Sequence, residues 1–135
     1  MTRDTSIGHV ARATVDAMAY QSRDLLMLMQ QEAGLRLTSL KVDGGASANN
    51  SLLQFQADLL GTAVRRPVVA ETTALGAAYL AGLAVGYWQD FEDVARNWAL
   101  DREFTPRMES AVRTKLTKGW ERAVQRSLGW AKDDD

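Results

Sequence analysis

The stretch Leu40-Lys41-Val42-Asp43-Gly44-Gly45-Ala46-Ser47-Ala48-Asn49-Asn50 most constrains what this chain can fold into. An apolar run stops at two glycines, and an asparagine pair precedes a new amphipathic run. That order predicts a strand, a tight turn and a helix N-terminus, the unit from which open α/β sheets build ligand crevices. Glycine has no Cβ, so the chain can turn sharply and a flat ligand can lie against the backbone. The first turn of the following helix presents unpaired N–H groups and the positive end of its dipole. Asn49 stands where its side chain either caps that helix or hydrogen-bonds a ligand. Turns of this kind occur throughout αβα proteins without binding anything, so the stretch alone leaves both readings open.

The flanking sequence supplies the layers such a turn needs. Ile7, Val10, Ala11, Thr14, Val15, Met18, Ser22, Leu25 and Met29 recur at three- and four-residue spacing, which predicts a long amphipathic helix. Asp4, Thr5 and Ser6 are its N-cap candidates and Gly34 its stop. Leu26 and Leu28 widen the apolar face, so this helix is expected to pack against both a sheet and a second layer. His9, near the helix start, reads as a surface or capping residue. Thr38 to Asp43 is the first expected strand, with Leu40 and Val42 on its buried face. Asp43 lies at the strand end, where carboxylates of α/β enzymes bind Mg²⁺. It has no second carboxylate near it in sequence, and hydrogen bonding to the glycine turn is the preferred reading.

After Asn49 or Asn50 a helix carrying Leu52, Leu53, Gln56, Leu59 and Leu60 is expected, closed by Gly61. Ala63 to Val69 predicts a second strand, parallel to the first through a right-handed crossover. Pro67 cannot donate to a central ladder, so that strand is expected at an edge or ending there. Arg65 and Arg66 then read as charges that blunt the edge rather than as a phosphate clamp. A helix from about Thr73 to Val85, capped by Thr72 or Thr73, is rich in small residues. Gly76 and Gly82 within it point to close packing, since each glycine costs about 1 kcal/mol against alanine in a helix. Asp90 caps a short helix through Ala95. Trp98 to Phe104 reads as extended, up to Pro106. Met108, Val112, Leu116, Trp120, Val124 and Leu128 form the stripe of a last helix. Trp88, Trp98, Trp120 and Trp130 read as core or interface anchors.

Charge and composition remove several function classes. The net charge of −1 argues against a nucleic-acid surface. With no cysteine and one histidine, thiol chemistry and a thiolate or histidine metal centre are not expected. No apolar run has the length of a membrane span, so a cytoplasmic location is the default. Met1 to Thr5 leads almost directly into a helix, an abrupt start for an α/β domain. That suggests the back part of something larger, and residues 133–135 read as a solvated end.

The motifs resemble a known family. Val42 to Asn50, then Leu53-Gln54-Phe55-Gln56-Ala57-Asp58 and Leu60-Gly61, is similar to the adenosine motif of the FGGY carbohydrate kinases, in the form found in their glycerol kinase branch. Glu71-Thr72-Thr73-Ala74-Leu75-Gly76-Ala77-Ala78-Tyr79-Leu80-Ala81-Gly82-Leu83-Ala84-Val85-Gly86 continues it in register. His9-Val10-Ala11-Arg12-Ala13-Thr14-Val15-Asp16 resembles the second half of an FGGY signature, and Arg102-Glu103-Phe104-Thr105-Pro106 also matches.

The resemblance implies two actin-like, ribonuclease H-like domains with ATP and substrate in the cleft between them. It implies transfer of the γ-phosphoryl of MgATP to a polyol, glycerol in this branch, the alternatives being a fragment of another FGGY sugar kinase or a non-catalytic nucleotide-binding or interaction module. Residues 1–135 would be the C-terminal portion of the second domain, an incomplete domain without its first three strands and without the N-terminal domain. The expected fold class is therefore α/β: a partial actin-like ATPase domain of parallel strands, flanking helices and a C-terminal helix. In the family pattern the second glycine and first asparagine contact the adenine nucleotide. They fall on Gly45 and Asn49, with Gly44 and Ala46 beside them. The Gly-Asp-Gln segment that carries the family's catalytic aspartate does not occur in this sequence, so no residue is assigned as catalytic base. None is assigned to metal either: the implied cofactor is ATP or ADP with Mg²⁺, the metal held outside this segment. The implied partners are ATP, glycerol, the remainder of the kinase chain and further copies of it in a homo-oligomer.

Overall fold

The computed structural model describes residues 1–129, so Trp130 and residues 133–135 lie outside the described residues. The elements are α1 (Ile7–Ala33), β1 (Ser39–Lys41), a 3₁₀ turn (Gly45–Ala48), α2 (Asn50–Leu60), β2 (Ala63–Pro67), α3 (Thr72–Ala84), α4 (Phe91–Ala95), β3 (Leu100–Phe104) and α5 (Ser110–Ser127). The helix ends follow the expected chemistry. The Ser6 N–H donates to His9 Nδ1 at 3.1 Å, so the single histidine is a capping residue. Gly34 and Gly61 terminate α1 and α2 in the left-handed conformation, at φ 62° and 67°. Asp90 caps α4 by accepting from the Asp93 N–H at 2.8 Å.

The fold is α/β, and α2 is its middle layer. One face of α2 buries Leu53 and Ala57 against Val64 of β2 and Phe104 of β3, with Leu40 and Val42 at the margin. Its other face buries Leu52, Phe55 and Leu59 against Ala19 of α1, with Tyr20, Met108 and Leu116 closing the cluster. Each fully buried leucine contributes about 1.5–3 kcal/mol. Nearly the whole core therefore turns on eleven residues of one helix.

The sheet departs from expectation in one respect. β2 pairs parallel with β1, as the crossover rule requires, and antiparallel with β3, giving the order β1-β2-β3. β2 is thus central in the described sheet, not at an edge. The extended run ending at Phe104 folds back on it. Pro67 is tolerated because it is the last residue of the strand, where the register shifts between Arg66 and Pro67. Arg65 and Arg66 do not blunt an edge: they reach Glu103 at 2.5 Å and Asp101 at 2.7 Å on β3. β1 has one strand partner among the described residues.

The long helix also packs differently. Only Ala19 is buried in α1, while Ile7, Val10, Met18, Leu25 and Met29 of the expected face stay exposed. α1 meets α2 rather than the sheet, through Val15, Ala19 and Tyr20. Met18, Leu25 and Leu26 look across a cavity of about 350 Å³ toward Leu40, Val42 and Leu53. α3 starts at Thr72 behind Glu71, without a side-chain cap, and buries no residue. A Cβ on Gly82 would stand 2.2 Å from the Trp88 ring, so close packing explains this glycine, whereas Gly76 faces open space. On α5, Leu116 joins the core but Val112 is exposed. A strict four-residue spacing drifts about 40° per step around a helix, so one flat neighbour cannot cover all of it.

Candidate functional site

The glycine turn is built from both sides. The ladder between β1 and β2 continues past the strands, with the Val42 N–H donating to Arg65 O at 3.1 Å and the Gly44 N–H to Ala70 O at 2.8 Å. Gly44 adopts φ 76° and ψ 172°, a conformation that only glycine enters readily. Its carbonyl accepts from the Ser47 hydroxyl at 2.7 Å and from the Ser47 N–H at 3.0 Å. Ser47 is buried, so these bonds are shielded from water.

Gly45 differs from Gly44. It is not among the positive-φ glycines, and nothing lies within 4 Å of a Cβ built on it. Neither backbone geometry nor internal packing requires a glycine there; the space beside it is open. Asn49 caps α2, its Oδ1 accepting from the Ser51 N–H at 3.0 Å and the Leu52 N–H at 3.1 Å. Capping and ligand contact were alternatives in the sequence, and the structure shows the cap at the oxygen end of the amide. The oxygen's two lone pairs are committed to the helix, while the NH₂ has no partner among the described residues and can donate. Gly45, Ala46 and Asn49 are exposed and Gly44 is half-buried, all on one short turn.

Asp43 is not bonded to the glycine turn as expected; its carboxylate accepts the hydroxyl of Thr72 at the start of α3. No group of three or more His, Cys, Asp or Glu that could hold a metal occurs among the described residues. The turn is an open surface: the 350 Å³ cavity reaches Asp43, Ala46 and Ser47 but not Gly45 or Asn49. Such a surface can receive a flat group against Gly45 and donate a hydrogen bond from Asn49. It presents no nucleophile.

Arg66, read from the sequence as an edge charge, instead reaches the turn. Its Nη1 donates to Ser47 O and to Asn50 Oδ1, each at 2.9 Å, and makes a longer contact with Ala48 O at 3.4 Å. The available signal was Asp101 and Glu103, alternating acids in an extended run that answer Arg65 and Arg66.

Residues 1–85 match the model of the FGGY family of carbohydrate kinases, C-terminal domain. The chain belongs to this family. Among FGGY relatives it is 56% identical to the glycerol kinase of Caldanaerobacter subterraneus subsp. tengcongensis over 133 residues, 98% of this chain and 27% of the relative. It is 55% identical to glycerol kinase 2 of Thermotoga maritima over 132 residues, 98% of this chain and 27% of that protein. The chain thus spans 27% of the length of these relatives. In structure it is similar to a Plasmodium falciparum glycerol kinase with ADP, with a TM-score of 0.82 and 33% identity, covering 95% of this chain and 26% of that one. The ligand-bound xylulose kinase of Lactobacillus acidophilus shares the fold at a TM-score of 0.80 and 18% identity, covering 96% of this chain and 26% of that one.

Proposed function

We propose that this chain is a segment of a glycerol kinase and supplies the adenosine side of its ATP site, through Gly45 and Asn49 with Gly44 and Ala46 shaping the turn. In this reading the complete protein transfers the γ-phosphoryl of MgATP to a hydroxyl of glycerol, releasing ADP and giving glycerol 3-phosphate. The observation that carries it is the open flank of Gly45 beside the Asn49 NH₂, which has no partner among the described residues. An adenine ring is flat and rimmed with acceptor nitrogens, so it fits a bare backbone face with one donor next to it. The relatives at 53–56% identity that are named glycerol kinases support the choice of polyol.

The residues present do not fit the phosphates or Mg²⁺. Asp43 is engaged by Thr72, and the described residues bring no second carboxylate to it. MgATP, when bound, supplies the phosphoryl group; this chain's part is to orient the nucleoside and to hold its turn rigid. The phosphate contacts and the general base belong to the remainder of the kinase, which we place in the cytoplasm as a homo-oligomer. Asn49→Ala in the complete protein tests the reading. The KM for ATP should rise about tenfold, the loss expected for one hydrogen bond made to a ligand, with the glycerol KM unchanged within about twofold. An equal rise in both, or none in that for ATP, removes the adenosine role.

A further inference from the structure

We infer that Arg66 is the positioning residue of the nucleotide turn, a guanidinium that bridges the residues on either side of Asn49 and fixes the corner that carries the Asn49 amide. This rests on the adenosine reading above. Asn49 lies between Ala48 and Asn50, and Arg66 Nη1 touches both, at 3.4 Å to the Ala48 carbonyl and 2.9 Å to Asn50 Oδ1, as well as the Ser47 carbonyl at 2.9 Å. The opposite side of the guanidinium is anchored on β3. Its Nε donates to Asp101 at 2.7 Å, and its central carbon sits 5.6 Å from the centre of the Phe104 ring. The side chain is only 16% exposed, while its partners Asp101 and Asn50 lie at the surface and the bond to Ser47 is part-buried.

The first corner of the turn is held by the Ser47 hydroxyl on the Gly44 carbonyl and by the Gly44 N–H on Ala70, and the second by the Asn49 N–H on Ala46 O at 3.1 Å and by the Asn49 Oδ1 cap. Arg66 adds the bonds that tie the Ala48–Asn50 corner, which presents Asn49, to β2 and β3. A planar guanidinium presents donors in several directions at once, and a lysine ammonium does not reproduce that span. Losing the bridge leaves the Ser47 and Ala48 carbonyls to water and loosens the corner that carries the Asn49 cap, which weakens adenosine contact and leaves the polyol untouched.

The test uses the complete kinase with Arg66→Met, Arg66→Lys and Asp101→Asn, alongside Asn49→Ala. Arg66→Met should raise the ATP KM about tenfold with the glycerol KM within about twofold. It should also speed amide hydrogen exchange in the peptide covering residues 44–52. Arg66→Lys should recover only part of the loss, and Asp101→Asn should cost less than Arg66→Met because the Nη1 bonds remain. If Arg66→Met does not fold, the lysine and Asp101→Asn variants decide by the same KM split and exchange rates. An unchanged ATP KM, a parallel rise in both constants, or full rescue by lysine overturns the assignment. An ATP effect in Asn49→Ala without one in Arg66→Met removes the positioning role alone. No ATP effect in Asn49→Ala removes the adenosine reading and this inference with it.

Discussion

Gly44 and Gly45 are adjacent and do different jobs. Gly44 is a conformational requirement: at φ 76° and ψ 172°, any Cβ strains the backbone. Gly44→Ala should destabilise the protein by about 1–3 kcal/mol, read as a fall in melting temperature. Gly45 has ordinary backbone geometry and open space beside it, so Gly45→Ala should change stability by no more than about 0.5 kcal/mol. On the adenosine reading proposed above, its effect should appear in the ATP KM, because the added methyl would occupy the face offered to the base. A large melting shift from Gly45→Ala with unchanged ATP kinetics would reverse these assignments. Asn49 shows why residue type alone was ambiguous. An amide has a donor end and an acceptor end, and only the folded helix shows that the acceptor is committed.

Among the elements, α2 carries the fold because two faces of its eleven residues are buried at once. Its limits were legible: Asn49 and Gly61 are the residues that capping chemistry demands, and they cap it. The neighbours of α1 were not legible, because periodicity shows that a helix has an apolar face but not how much of it a partner covers. Only the middle of α1 is covered, by α2 and α5. There Tyr20 stacks on Trp120 with ring centres 5.0 Å apart and meets Phe55 edge-on at 5.5 Å. Burial, with a smaller contribution from the charge of Asp16, pushes the Tyr20 hydroxyl above its ordinary value of 10.0. The folded state then holds this proton more tightly than the unfolded state does. The associated stability is complete below about pH 10 and is lost as pH rises through the raised value. Melting of the wild type should fall more between pH 8 and pH 11 than melting of Tyr20→Phe. Parallel falls would show that the tyrosine contributes nothing to alkaline unfolding.

At the scale of the whole molecule, α3 buries no residue, and much of the apolar surface of α1 is exposed, Ile7 at 89%. An uncovered surface of this kind, next to a strand with one partner, favours association. In isolation the chain should self-associate in sedimentation velocity; a stable monomer at tens of micromolar would contradict this. Its affinity for ADP should be weaker than about 100 μM by calorimetry, since phosphate contacts supply much of nucleotide affinity and the described turn offers none. Micromolar binding would show that the turn is a complete site. The sequence by itself determined the local units: the strand–glycine–helix turn, the caps, and the motif that marks the family. These depend on neighbours a few residues apart, whose geometry side-chain chemistry dictates. Only the tertiary structure decided that β2 is central, that Asp43 answers Thr72, and that Arg66 reaches back to the turn from β2. Each of these joins residues 16 or more apart in sequence. Nothing local specifies such a pairing; it exists because α2 packs the sheet and the helices around itself.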